Sequence, residues 1–216
     1  DYDGNIESLS GLIFEGNSSG SSGGAIGNSS YGTIGTIIDS TFTANLANNS
    51  GGAIYNAGTL YINDTTMDQT NATTIFKNNF AVLGGNIYNE GFLTLAGNVE
   101  FTFEPVKKTK YVYTKHGGAI YNAGVLRIIN DLTIEGMIVS GNGGVIYNDI
   151  DGVIYGSQLG QLVFSNNKST GGNGGAIYNS GDITLQNTTF MNNSAVDGGA
   201  IYNAGSLTIS NSVTFM

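Results

Sequence analysis

The sequence predicts an all-β protein, a parallel β-helix (solenoid) of about seven coils of 24–33 residues. Three features indicate this fold: a repeated Gly-Gly phrase, an alternating stretch after it, and a Phe-x-x-Asn motif further on. The phrase begins at Gly23, Gly51, Gly84, Gly117, Gly143, Gly174 and Gly198. Units this short cannot bury their apolar side chains alone, so they stack on their neighbours. A propeller is disfavoured because its units run to about 40–45 residues with four strands.

The alternating stretches, such as "TLYIN" at 59–63 and "SLTIS" at 206–210, predict the strands. Alternation with period two is typical of a half-buried strand, and no segment shows a sustained helical period. Glycine and asparagine clusters predict turns, because both residues tolerate positive φ. The unequal spacing of the phrases then indicates a constant coil with loops of different length.

Stacked units place like residues above like, which predicts columns of side chains. In "AIYN" at 53–56, Ile and Asn share one strand face, while Ala and Tyr share the other. We place the isoleucines inside, together with Leu60, Ile62, Leu207 and Ile209, and expect the asparagines to form a hydrogen-bonded ladder. The tyrosines then form an outward row; the opposite facing stays open. This row comprises Tyr55, Tyr88, Tyr121, Tyr147, Tyr178 and Tyr202.

Length and charge limit the classes of function. The 216 residues suffice for a single β-helix domain over 1–216, and they begin and stop inside a unit. We therefore expect a segment of a longer protein, or copies that meet through open coil ends. The net charge of −9 disfavours nucleic acid as a partner. No apolar run approaches the roughly 20 residues of a membrane span, so we expect no direct membrane insertion by this segment.

Two stretches break the repeat and are predicted inserts. Residues 96–116 read as a hairpin insert that holds the one proline of the chain, and residues 149–163 read as a loop insert. The first is a candidate partner contact, with the alternative of a solvated loop whose lysines prevent edge pairing. Its candidate contact residues are Lys107, Lys108, Lys110, Tyr111 and Tyr113.

Catalytic chemistry has little support in the sequence. Polysaccharide lyases and hydrolases need clustered carboxylates, or carboxylates beside basic groups, whereas the acidic residues here are scattered. Asp149 and Asp151 are weak candidates for a catalytic pair or a metal site, with a simple turn as the alternative. We predict no catalytic residue and no cofactor. The tyrosine row is either a surface that stacks on sugar rings or a packing surface between copies.

Gly-Gly-Ala-Ile (Gly51, Gly52, Ala53, Ile54) together with Phe-x-x-Asn (Phe42 and Asn45) resembles the passenger repeats of chlamydial polymorphic outer-membrane proteins. Related repeats occur in adhesin-like surface proteins of other bacteria and of methanogenic archaea. The resemblance implies a right-handed parallel β-helix on an exported, autotransporter-like protein at the cell surface or outside the cell. The departures are Asn86 and Val145 in place of Ala, Gly27 in place of Tyr, and two units without Phe-x-x-Asn.

The main functional hypothesis is a non-enzymatic, surface-exposed or secreted adhesin-like rod that displays contact surfaces. Its expected partner is a protein or glycan on another cell, or further copies of the chain. The alternative is a structural subunit that assembles end to end into an extracellular filament or layer. A polysaccharide lyase or hydrolase is the least favoured hypothesis.

Overall fold

The computed structural model describes residues 4–63, 72–104, 114–157 and 159–216, and these contain strands but no helix. Consequently, none of the described residues belongs to a helix able to span a membrane. The strands form three parallel sheets that stack as a solenoid of about seven turns, which confirms the predicted parallel β-helix. We number the coils 1 to 7 by the Gly-Gly phrases that open them, and the three sheets form faces 1 to 3.

Each coil contributes one strand to each face in turn. Face 1 holds the Ile-Tyr-Asn strands: Ile26–Asn28, Ile54–Asn56, Ile87–Asn89, Ile120–Asn122, Ile146–Asn148, Ile177–Asn179 and Ile201–Asn203. Face 2 holds Asn5–Ile6, Leu9–Ser10, Thr33–Ile38, Thr59–Ile62, Phe92–Leu95, Val125–Ile128, Val153–Tyr155, Asp182–Leu185 and Ser206–Ile209. Face 3 holds Ile13–Glu15, Thr41–Thr43, Thr73–Lys77, Asn98–Thr102, Leu132–Glu135, Leu162–Ser165, Thr188–Met191 and Val213–Phe215. Two short pairs, Ser18–Ser19 with Leu46–Ala47 and Ile138–Val139 with Lys168–Ser169, lie outside the faces.

The core consists of the predicted columns. Ile54 pairs with Ile87, and Ile87 with Ile120, in a register that continues along face 1. The Ile column is buried through coils 2 to 6, and Leu60 and Ile62 are also fully buried. Leu207 is half-buried against the core, whereas Ile209, which pairs in register with the buried Leu185, is 49% exposed. Inside face 3, phenylalanine rings stack with centroids 4.6–5.3 Å apart.

The two glycines of the repeated phrase have different structural roles. Gly51 has a φ of 63°, and a Cβ there would lie 2.1 Å from the carbonyl oxygen of Ile54. Gly52 lies against the next coil, where a Cβ would meet the carbonyl oxygen of Gly85 at 2.1 Å. The first glycine therefore makes the bend, and the second permits the close approach of adjacent coils.

The asparagines of face 1 form the predicted ladder. In every step, the Nδ2 of one coil donates to the Oδ1 of the next coil at 2.7–2.8 Å, from Asn28 to Asn203. Each interior Nδ2 also donates to backbone carbonyls; Asn122, for example, binds those of Gly124 and Val153. Asn56, Asn89, Asn122, Asn148 and Asn179 have no exposed surface. The ladder thus satisfies buried amides and ties each coil to the next.

A second asparagine ladder explains one departure from the repeat. At the Phe-x-x-Asn corner, Asn45 donates to Asn79 Oδ1, but coil 3 has Glu104 where the next asparagine would be. Asn79 donates instead to Asn86 Oδ1 at 3.0 Å, and Asn86 is the residue that replaces Ala in the same coil. The substitution to Asn86 therefore supplies the acceptor that the missing asparagine leaves out.

The two predicted inserts are smaller than the sequence indicates. Within 96–116, Asn98–Thr102 is a regular strand of face 3, paired with Thr73–Lys77, and Phe101 stacks on Phe76. The stretch 105–113, which holds most of the alternating segment "KYVYTK" at 110–115, lies outside the described residues. Within 149–163, Val153–Tyr155 and the first residues of Leu162–Ser165 also belong to coil strands. The described alternating segments of both inserts therefore belong to the coils.

Replacing Asn122 tests the ladder. We expect Asn122→Ala to lower the free energy of unfolding by about 2–3 kcal/mol, because its buried partners lose a donor and an acceptor. Asn203→Ala is the matched control at the exposed end of the same ladder and should cost less than about 1 kcal/mol. Urea unfolding followed by circular dichroism measures both; equal losses would contradict the ladder's role.

Replacing the second glycine tests the close approach of coils. Gly52→Ala forces a Cβ against the backbone of the next coil, so we expect a loss of about 3 kcal/mol or more. Gly27→Ala is the control, because nothing lies within 4 Å of a Cβ there and φ is not positive. The two unfolding midpoints should differ clearly, and coincident midpoints would show that the coils can move apart at no cost.

Candidate functional site

The outer side of face 1 carries a column of stacked tyrosines. The structure confirms that the Ile side of these strands faces inward and the Tyr side outward. Neighbouring rings are nearly parallel, with interplanar angles of 7–14° and centroids 4.7–5.7 Å apart. Most of these tyrosines are half-buried, and Tyr121 is only 8% exposed.

Ring stacking decides which atoms of the column a partner can reach. Each interior ring has another tyrosine ring over both of its faces, as Tyr121 has Tyr88 and Tyr147. Only ring edges and hydroxyl groups then remain for contact. A partner would therefore meet the interior tyrosines edge-on, and the predicted stacking of sugar rings onto their faces has no free surface there.

Two carboxylates accept hydrogen bonds from hydroxyl groups of the tyrosine column. Glu90 accepts a hydrogen bond from the Tyr55 hydroxyl, and Asp149 accepts one from the Tyr121 hydroxyl at 2.7 Å. Burial, with the nearby Glu90, raises the pKa of Tyr55 and of Tyr88 to about 12. Burial, with Asp149, also raises the pKa of Tyr121 and Tyr147. The phenols therefore stay protonated and donate to the carboxylates over the physiological range.

His116 is tied to the same face in a structural role. Its ring lies 5.1 Å from that of Tyr147, and its Nδ1 accepts a hydrogen bond from the Asn142 backbone N–H at 3.0 Å. Burial and the charge of Lys115 lower the pKa of His116. A neutral imidazole that accepts at Nδ1 is therefore expected at neutral pH.

The outer side of face 2 forms an open groove of about 510 Å³ across coils 2 to 5. Alternation places Thr94, Arg127 and Tyr155 outward in one register row, while Leu93, Leu126 and Ile154 lie in the core. The neighbouring row places Phe92 beside Val125. Phe92 is 62% exposed and Tyr155 is 46% exposed, so both aromatic rings face the solvent.

Arg127 is the cationic centre of this groove. Its guanidinium lies 5.8 Å from the centroid of the Tyr155 ring, a cation–π distance. Among the described residues, the ion pair that forms is Lys77 with Glu104, which does not involve Arg127. The guanidinium donors of Arg127 thus face no carboxylate in the described part of the chain.

The structure separates the other predicted site residues. Asp149 uses one carboxylate oxygen on Tyr121 and the other on the Ile150 backbone N–H. Across the described ranges, no group of three or more His, Cys, Asp or Glu side chains gathers where it could hold a metal ion, and Asp149 and Asp151 form no such cluster. Lys107, Lys108, Lys110, Tyr111 and Tyr113 lie outside the described residues.

Sequence reasoning missed the groove residues Phe92, Arg127 and Tyr155. They come from three coils of unequal length, so their adjacency appears only when the register is known. One signal was present: each occupies an outward position of an alternating stretch where some other coils carry Thr or Ser. An alignment of outward positions by coil would have brought the three together.

Comparison with known proteins supports the repeat assignment. A family model described as the Chlamydia polymorphic membrane protein repeat matches residues 11–29, 39–57, 73–123, 161–180 and 187–204, more than half of the chain. No curated protein and no solved structure gives a significant match.

Alkaline titration tests the coupling between the tyrosines and Glu90. The folded pKa of Tyr55 and Tyr88, about 12, lies above the ordinary value of 10.0, so the folded chain holds these protons more tightly than the unfolded chain. This contribution to stability is complete below pH 10 and is lost as the pH rises from 10 towards 12. We expect the urea midpoint to fall over that interval.

Glu90→Gln should move part of the tyrosinate absorbance to lower pH, because the carboxylate that disfavours ionisation is gone. Glu100→Gln removes a carboxylate from face 3 and should leave the titration curve unchanged. Superimposable curves for all three chains would show that Glu90 is not coupled to the ring column.

Proposed function

The chain belongs to the Chlamydia polymorphic membrane protein repeat family, and on this premise we propose that it is a surface-exposed, non-enzymatic contact module. In this proposal the solenoid is the passenger-like, adhesin-like part of an exported protein. Its outward side chains bind a protein or glycan on another cell. The family assignment supports exposure at the outer membrane. The contact role is supported because the inward residues hold the coils together while the outward residues stay accessible.

The observation that carries the proposal is that most residues of the repeat signature lie inside the solenoid. Phe42, Asn45, Ile54 and Asn56 have no exposed surface, and Gly52 lies against the next coil. These residues hold the coils together and cannot reach a partner in the folded chain. Contact must then come from the outward positions, which comprise the tyrosine column of face 1 and the residues of face 2 that differ from coil to coil.

The carboxylate arrangement supports a role without catalysis. A glycosidase places two carboxyl groups about 5–10 Å apart around the scissile bond, with at least one free to move a proton. Here Glu90 and Asp149 each accept a hydrogen bond from a tyrosine of the column. Because these oxygens accept hydrogen bonds from the tyrosine column, the two carboxylates fit a display surface better than an acid–base pair.

Adhesion of cells to the immobilised chain tests the proposal. We expect saturable binding, and no cleavage when the same preparation is incubated with neutral and acidic polysaccharides. Ile120→Asp is the control, because an unpaired charge in the core should unfold the solenoid and abolish binding. Equal binding by this unfolded variant, or any polysaccharide cleavage, would contradict the proposal.

Sedimentation of the same sample distinguishes the filament alternative. A contact module should keep the mass of one chain as its concentration rises. A mass that grows with concentration, without cell binding, would favour a subunit that assembles end to end.

A further inference from the structure

We propose that the face 2 groove, centred on Arg127, binds a sugar residue that carries a carboxylate, within a larger glycan. The site would comprise Arg127, Tyr155, Phe92, Thr94 and Tyr61, all of which line the groove. This inference rests on the proposed contact function, because it names the ligand class for one of the outward surfaces.

The charge of the groove favours a single carboxylate. Arg127 is the one arginine in a chain of net charge −9. A guanidinium presents a planar fork of N–H donors that matches a carboxylate in a bidentate manner. A polysulfated or polyphosphate chain would meet one cation against an overall negative field, and such ligands depend on many cations. One isolated carboxylate therefore fits the groove better than a dense polyanion.

The Arg127 side chain is restrained by one of its neighbours in the register row. In the register of face 2 it lies between Thr94 of coil 3 and Tyr155 of coil 5. The Tyr155 ring lies below its guanidinium, so the cation–π contact restrains the side chain before a ligand arrives. Restraint of this kind lowers the entropy lost on binding.

The aromatic residues of the groove have ring faces that no other aromatic ring of the described residues covers, unlike the interior rings of the tyrosine column of face 1. Phe92 and Tyr155 are exposed, and Phe92 pairs in register with Thr59 and Val125, so no neighbouring ring covers it. The face of an aromatic ring is slightly negative. The C–H groups of a sugar ring can therefore pack on it, as they cannot on the covered rings of face 1.

The polar residues favour a sugar over a protein surface. Thr59 and Thr94 line the groove among the apolar side chains, and their hydroxyls can donate to and accept from sugar hydroxyls. Tyr61 and Tyr155 stand three coils apart in the same row, roughly 14 Å at the usual strand spacing. The groove is thus longer than one sugar ring, and its mixture of ring faces, hydroxyls and one cation suits an oligosaccharide.

The test is a titration of the purified chain with matched acidic and neutral sugars, followed by NMR chemical shifts. Sialyllactose is compared with lactose, and a hyaluronan oligosaccharide with chitotriose, so that sialate and uronate are separate arms. We expect at least one acidic sugar to bind about 10-fold more tightly than its neutral partner, because the neutral sugar cannot form the charge-assisted pair with Arg127. Arg127→Gln should remove the preference for the acidic sugar. Tyr155→Ala, made separately, should also weaken sugar binding.

Lys168→Gln is the matched control, because it removes one exposed positive charge outside face 2 and should leave sugar affinity unchanged. Circular dichroism verifies that each variant is folded. Equal affinity for acidic and neutral sugars, or an Arg127→Gln chain that keeps the preference, overturns the inference. Cell binding that persists without acidic-sugar binding overturns the sugar site alone, whereas a folded chain that binds no cells overturns the contact function itself.

Discussion

The buried amide ladder of face 1 is the interaction on which the rest of the structure depends. Each Asn Nδ2 donates to the Oδ1 of the next coil, and the side chains involved are shielded from solvent through the interior of the stack. A slip in register would leave buried amides without partners, at a cost of about 1–3 kcal/mol for each unsatisfied group. The ladder therefore fixes which residue lies above which, on the outer surface as well as in the core.

Because the register is fixed, outward residues of successive coils form columns, and a few substitutions along a column decide its chemistry. Where tyrosine repeats, the rings cover one another and leave their edges and hydroxyls, which Glu90 and Asp149 then bind. Where the outward residue changes from coil to coil, as from Phe92 to Val125, rings remain uncovered and a groove forms. A repeated aromatic residue thus has its ring faces covered by its neighbours, whereas an outward residue that changes between coils leaves ring faces accessible.

The sequence allowed the scaffold to be predicted well and the groove hardly at all. The Ile and Asn columns were visible because their positions recur within a fixed phrase, and a parallel stack puts them in contact whatever the loop lengths. Phe101 was missed as a core ring because its unit lacks the asparagine that marks the motif, although the ring stacks on Phe76. Phe92, Arg127 and Tyr155 share no phrase, and only the register brings them together.

Departures from the repeat fall into two physical kinds, and the difference bears on function. Inward departures are compensated by neighbours: Asn86 accepts from Asn79, and Ile134 fills the phenylalanine column beside Phe101. Outward departures such as Phe92 and Arg127 fill no position in the core, because their side chains face the solvent. An exposed ring, and a guanidinium that faces no carboxylate among the described residues, add little to the stability of the solenoid, so packing alone does not account for them. In the contact function that we propose, burial of the ring and pairing of the charge would occur on binding.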